Sequence, residues 1–458
     1  MATSPADLTL EETWAALHRR ELSPHEVAAG YVEAINRWEP ALGAFVSVSE
    51  DRVHNVARLV TDEFRRGVFR PLAGIGVSVK DNIDVAGLQT TAGSSWLNER
   101  ATDNAECWRR VELSGAVHIG KTNMHEFAYG ATNVNHKAQT TRNPWDRRHI
   151  CGGSSGGSAV SVAIGSCGAS LGTDTGGSVR IPAALTGVTG FKPTLGRIPT
   201  AKVFPLSPSC DTVGVLSRTA DGCARIFQSL ILHSAPEHDD PGRLSLRGAH
   251  LGVVMSHVSR SSPAVSDAFR RALDAVEALG ATVEPFELAC EEDARLSTGT
   301  IVAFEAAQVH RRWLRDRGDD YGDDVRARLE TGLTVSGRRY RAAKDDRREL
   351  AARMLESQSR FDAVIGPTVP VTAPLVDECH LARAAEMQAA LLANTYCYNV
   401  TGQPAISVPC GMASDGLPVG LQIAAAPGRD LDVLRIAMAL QTTTGWHRHR
   451  PSLEGLRT

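Results

Sequence analysis

The sequence predicts an α/β protein built as one continuous domain spanning residues 1–458. Three observations carry this. Short apolar runs of strand character alternate with amphipathic helical stretches along the chain, no internal repeat recurs, and no Pro/Ser/Gly-rich linker divides the 458 residues. Length alone would also accommodate several average domains, so the alternation decides. With 42% hydrophobic and 22% charged residues there is ample material for a core, and nothing resembles a disordered or collagen-like chain.

Taken in order, Leu10, Trp14, Leu17, Val27, Tyr31 and Ile35 recur at three- and four-residue spacing, and Ser23-Pro24 supplies an N-cap and a first-turn proline. The segment to Trp38 therefore reads as two amphipathic helices. Ile75 to Val79 has the strand period of two, which sets Lys80 at a strand end, where functional groups of α/β folds gather. Glu106 to Leu113 reads as a charged helix. Ser158 to Ser166 is small and apolar enough for a closely packed helix, Ala169 to Gly172 for a short buried strand, and Val179 to Leu185 for a further helix. Leu251–Val254 reads as a strand and Ser266–Leu279 as an amphipathic helix. Ala306–Arg360 is charged and helical with one face solvated, and approximately 290–360 is the expected helical insertion or cover over the site. Ala363–Pro367 and Ala405–Pro409 read as buried strands ended by turns.

The charge balance narrows the function. Lys plus Arg (49) nearly match Asp plus Glu (52), so no summed field favours nucleic acid or an anionic membrane, and a small molecule is the expected partner. Nine scattered cysteines without C-x-x-C spacing read as reduced thiols of a cytoplasmic protein. Without paired Cys or H-E-x-x-H no metal is expected, and no cofactor. Residues 1–10 lack the basic n-region and apolar run of a signal peptide, and no run of about 18 apolar residues is present to span a membrane.

The chemistry is written in two glycine-rich serine clusters, Gly152 to Ser158 (GGSSGGS) and Thr173 to Arg180 (TDTGGSVR), downstream of Lys80 in Gly76 to Asn82 (GVSVKDN). A hydroxyl is a poor nucleophile until a neighbour takes its proton. Here the candidate base is an amine with a second hydroxyl as relay, and that amine must be buried to lose its own proton. A helix start beneath a Gly-Gly turn presents free N–H groups, suited to an anion or a developing oxyanion. Taken singly, GGSSGGS reads equally as a flexible loop, and a lysine usually as a solvated surface group. The joint pattern outweighs both.

Over nearly its whole length the chain resembles the amidase signature family. The motifs that carry the resemblance are GVSVKDN at 76–82, GKTNMHEFA at 120–128, the two clusters at 152–158 and 172–182, GFKPT at 190–194, and ISVP at 406–409 followed by GLQ at 420–422. The resemblance implies a single α/β/α sandwich around a large mixed sheet. It implies Lys80 as base, Ser154 as bridging serine in a cis peptide, Ser178 as nucleophile, and the N–H groups of Thr175, Gly176, Gly177 and Ser178 as oxyanion hole. It also implies hydrolysis of a small-molecule carboxamide through an acyl-enzyme. Asp174 and Arg180 flank the nucleophile and are expected to organise its turn.

Two motif matches compete. Gly115 to Thr122 fits G-x-x-x-x-G-K-[ST], but that phosphate loop must follow a strand, whereas a charged helix precedes it and Val117/Ile119 alternate as a strand within it. Gly153 to Gly157 fits G-x-S-x-G with Ser155 at its centre, but polar, proline-broken residues 143–149 replace the buried strand that such an elbow needs. Ser155 is expected to be structural.

Within the family, the candidate substrate-binding residues are Met124, Phe127, Arg347 and Tyr396, with Tyr129 and Tyr398 as further apolar lining. Arg347 falls where the family's glutamine-dependent tRNA amidotransferase subunit has a carboxylate-binding arginine, although its charged run reads more simply as a solvated helix. That subunit is the alternative function. It has an acidic reader of the glutamine amino group seven positions ahead of the Asn-x-x-Gly-x-Pro stretch, and here that position, counted from Asn399, is Leu392. An apolar side chain cannot pair with an ammonium, which favours a stand-alone hydrolase. The oligomeric state is not written in the sequence, and a homodimer is open.

Overall fold

A computed structural model describes residues 4–231, 245–379 and 383–452. Its centre is an eleven-stranded mixed sheet. In chain order the strands are β1 (Phe45–Val48), β2 (Gly76–Lys80), β3 (Gln89–Thr90), β4 (Glu99–Arg100), β5 (Val117–Thr122), β6 (Ala169–Asp174), β7 (Thr189–Lys192), β8 (Thr212–Ser217), β9 (His250–Val254), β10 (Thr282–Phe286), β11 (Ala363–Pro367), β12 (Ala405–Met412) and β13 (Pro418–Ala424). β3 and β4 form a separate ribbon, and the others lie in the order β1-β5-β2-β6-β8-β7-β12-β13-β11-β9-β10. β5, β2 and β6 run parallel, as do β11, β9 and β10, while the strands between them are antiparallel. Helices flank this sheet, giving the expected sandwich.

The helices are α1 (Leu10–His18), α2 (Pro24–Leu42), α3 (Glu50–Arg65), α4 (Glu106–Leu113), α5 (Gly156–Ala163), α6 (Arg180–Thr186), α7 (Ala220–Ile231), α8 (Met255–Ser259), α9 (Pro263–Ala278), α10 (Glu291–Arg317), α11 (Asp323–Leu333), α12 (Gly337–Ser357), α13 (Ala384–Leu392), α14 (Cys397–Val400) and α15 (Asp430–Thr444). The local signals explain their starts. Ser23 caps α2 by accepting from the Glu26 N–H while Glu26 reaches back to the Ser23 N–H, a reciprocal capping box with Pro24 in the first turn. The charged region read as helical from Ala306 begins earlier, at Glu291, and breaks into α10, α11 and α12, with α11 and α12 each packed on α10.

Strand burial follows position in the sheet. β2, β5, β6, β7 and β8 are buried along their whole lengths, as expected of strands covered on both faces. The edge strands β1 and β10 instead carry exposed and half-buried residues. Gly76 admits a close helix contact, since a Cβ there would meet the Tyr31 ring of α2 at 2.5 Å. Phe191 of β7 packs edge-to-face on Phe227 of α7 with centroids 5.2 Å apart, both rings buried. Truncating Phe191 to Ala removes that contact and is expected to lower the unfolding free energy by about 3–5 kcal/mol, read as a shifted midpoint in chemical denaturation.

Candidate active site

Parallel strands β2 and β6 are hydrogen-bonded neighbours, with Val79 opposite Leu171. Their C-terminal ends, carrying Lys80 and Asp174, therefore emerge side by side, where ligands gather in α/β folds. Each glycine-rich turn then meets the start of a helix, residues 152–155 before α5 and 175–179 before α6. Ser155 ties the turns together. Its N–H donates to the Ser178 carbonyl at 3.1 Å, and its hydroxyl donates to the Thr173 carbonyl at 3.2 Å and accepts from the Thr173 N–H at 3.3 Å. That is the structural role expected for Ser155. The Gly153–Ser154 peptide is cis, and the Ser154 carbonyl accepts from the His125 N–H at 3.1 Å.

Lys80 is fully buried, with Nζ 2.7 Å from Ser154 Oγ and 2.8 Å from Thr173 Oγ1. Asn82 Nδ2 donates to the same Thr173 hydroxyl at 3.2 Å. Burial pulls the Lys80 ammonium down to about 7, against the opposing fields of Asp174 and Asp211. Lys121, the lysine of the phosphate-loop match, shares that burial but lies 3.2 Å from Asp81 in an ion pair. It sits on β5, a fully buried strand, so no phosphate cradle exists there.

The 174–180 turn is held by a fully buried ion pair. Arg180 donates to Asp174 through Nε at 3.0 Å and Nη2 at 2.9 Å, and onward to the Thr395 carbonyl at 2.9 Å, Gln422 Oε1 at 2.7 Å and Asn399 Oδ1 at 2.6 Å. Asp174 also accepts from the Val179 N–H at 3.1 Å and Asn399 Nδ2 at 2.9 Å. Burial pushes its carboxyl up, but Arg180, with Lys192 and Asn399, outweighs burial and brings it down to about 2. Gly177 adopts φ +141°, and a Cβ there would lie 2.2 Å from Thr395 Oγ1, so the turn requires glycine. Among the described residues no acceptor takes the N–H groups of Gly176, Gly177 or Ser178, whereas Thr175 Oγ1 donates to Asp211 at 2.6 Å. Asp211 in turn accepts from the N–H groups of Leu206 and Ser207.

Ser178, Thr175 and Gly176 open onto a cavity of about 300 Å³. Ala128 to Ala131, Leu206, three residues of α10, Arg328 of α11, the α13 face ending at Leu392, and Tyr396 complete its walls. Of the expected substrate contacts, Tyr396 and Tyr129 line the cavity. Met124 and Phe127 do not: both are fully buried, and Phe127 packs among Trp96, Phe204, His310 and Tyr321. Tyr398 is likewise core. Arg347 is neither solvated nor a cavity group. It donates to the carbonyls of Val400 at 3.0 Å, Ser209 at 3.0 Å and Asn399 at 2.9 Å, clamping α12 to α14 and the 206–211 loop. Its carboxylate-binding assignment is therefore corrected to a backbone strut. Leu392 does line the cavity, as the spacing argument required. Sequence reasoning missed Asp211, Asn399, Gln422, Arg295 and Arg328. For Asn399 and Gln422 the family motifs were the only signal, and nothing local marked the others.

Removing Arg180 leaves Asp174 buried without its counter-charge. Arg180→Met is expected to cost about 3–5 kcal/mol in chemical denaturation, with Asp174→Asn in the same chain recovering part of it.

Comparison with known proteins agrees with this architecture. The amidase family pattern matches residues 26–434. The chain is 35% identical to the A subunit of glutamyl-tRNA(Gln) amidotransferase from Symbiobacterium thermophilum, across 94% of this chain and 96% of that protein. It is 33% identical to the same-named protein of Gloeobacter violaceus across 95% and 96%. Among solved structures it superposes on an amidase with TM-score 0.88 at 32% identity, covering 95% of this chain and 99% of the other. It also superposes on substrate-complexed 6-aminohexanoate cyclic dimer hydrolase with TM-score 0.87 at 27% identity, covering 98% and 99%. The motifs, the mixed sheet and these full-length matches make this chain an enzyme of the amidase family.

Proposed function

We propose that the chain hydrolyses a small-molecule carboxamide to a carboxylate plus ammonia or an amine, through an acyl-enzyme on Ser178 activated by Ser154 and Lys80. The observation that carries this reading is the buried amine at 2.7 Å from Ser154 with a proton affinity lowered to about 7. Neutral Lys80 takes the Ser154 proton as Ser154 takes that of Ser178, and the Ser178 oxygen attacks the carbonyl carbon. The carbonyl oxygen becomes an oxyanion held by N–H groups of residues 175–178, where one lost donor typically costs about 3 kcal/mol. Ser154 passes a proton to the departing nitrogen as the C–N bond breaks. Water then cleaves the acyl-enzyme by the same relay in reverse.

A second reading, the catalytic subunit of a glutamine-dependent tRNA amidotransferase, is favoured by the names of the full-length relatives. Sequence similarity favours it over the first. Against it stands the cavity, whose lining includes Leu392 and no acidic side chain to meet the glutamine ammonium. Ammonia release by the chain alone from simple primary amides supports hydrolysis. Release only from glutamine, and only with partner subunits present, supports the second reading and overturns the first.

Two further outcomes test the mechanism. Ser178→Ala is expected to abolish turnover while leaving the circular dichroism spectrum unchanged. Because the base must be uncharged, kcat/KM is expected to fall about tenfold per pH unit below about 7 and to level off above it, measured with a substrate that does not titrate in that range.

A further inference from the structure

Two guanidinium groups, Arg295 and Arg328, line the same cavity as Ser178, and none of its lining residues is acidic. Their partners lie outside that lining. Arg328 is fixed, 2.9 Å from Asp324 through Nη2 and donating through Nη1 to the Tyr129 carbonyl. Among the described residues Arg295 is held only by Glu292 one turn away on α10, through Nε at 2.9 Å and through Nη2, and Nη1 has no acceptor there. Glu292 is 67% exposed and Arg295 39%. Such a pair is worth about 0–1 kcal/mol and yields readily to a better-placed anion. Arg295, Gly299 and Val302 share one face of α10 along the cavity. A Cβ at Gly299 would touch nothing within 4 Å, so the path beside Arg295 is open. Tyr396, Leu392 and Leu206 add apolar surface to the same lining.

We infer that the cavity holds a carboxylate-binding subsite centred on Arg295, and that the substrate is an amide whose acyl chain ends in a carboxylate without a neighbouring ammonium. This rests on the amidase reading above and specifies its substrate class. An anion gains charge-assisted hydrogen bonds from Arg295 in a field reinforced by Arg328. A zwitterion such as glutamine brings a cation that no lining carboxylate neutralises.

The test is calorimetric binding to the Ser178→Ala protein, which needs no turnover, with three ligands of one chain length: the monoamide of glutaric acid, pentanamide and glutamine. The monoamide is expected to bind at least about tenfold more tightly than either of the others, with the advantage shrinking as salt is raised. Arg295→Gln in the same background is expected to bring it within about twofold of pentanamide. Equal binding of pentanamide, binding of glutamine at least as tight as the monoamide, a preference that survives Arg295→Gln, or no binding of the monoamide overturns the subsite. The salt series on the unaltered arginine reads the same electrostatics should Arg295→Gln misfold. Failure of the wild-type chain to hydrolyse any amide would overturn the amidase reading while leaving this binding comparison legible.

Discussion

The site depends on the ion pair between Asp174 and Arg180. Two opposite charges with no solvent access are stable only when their remaining hydrogen-bonding capacity is filled, and here neighbours from distant parts of the chain fill it: Gln422 from β13, Asn399 from α14 and the Thr395 carbonyl. The turn carrying Ser178 is consequently fixed to the far half of the sheet as well as to its own strand. The Asp174 side chain also occupies the Val179 N–H, whereas the N–H groups of Gly176, Gly177 and Ser178 have no acceptor among the described residues.

The contrast among buried lysines gives the site its chemical character. Lys121 and Lys80 lie on adjacent parallel strands and both are fully buried. Lys121 has Asp81 as a counter-ion. Among the described residues Lys80 has only the hydroxyls of Ser154 and Thr173 within hydrogen-bonding distance, with carboxylates acting on it at longer range. Burial lowers both amines. The difference lies in their partners: Lys121 is held against the Asp81 carboxylate, whereas Lys80 is presented to the Ser154 and Thr173 hydroxyls.

Much of this was legible in the sequence, and the reasons are physical. Periodicity and caps placed α1 and α2, strand alternation placed β2 and the end position of Lys80, and α4 matched Glu106–Leu113. Glycine clusters marked the two turns because backbone approach there leaves no room for a side chain. The cavity lining was less legible. Met124 and Phe127 are fully buried in the same apolar cluster as Tyr129, Leu206, Val302 and Tyr396 but do not reach the cavity, and Arg347 resembles a solvated charge because the carbonyls that bind it come from residues 209, 399 and 400. Conversely, Arg295 and Arg328 look like routine helix charges until α10 and α11 fold over Ser178. Local pattern records what a residue does within its own element and carries no trace of which distant element it meets.

The walls of the cavity come largely from α10, α11 and α13, whereas Lys80, Ser154 and Ser178 sit on β2 and on the turns leading into α5 and α6. The proposed reacting groups and much of the cavity wall are therefore encoded in separate stretches of chain. Helical faces such as the one bearing Arg295, Gly299 and Val302 can be rewritten residue by residue without disturbing the strand ends. The architecture would let selectivity change on the helices while the proposed relay on the strand ends and glycine turns stays as it is.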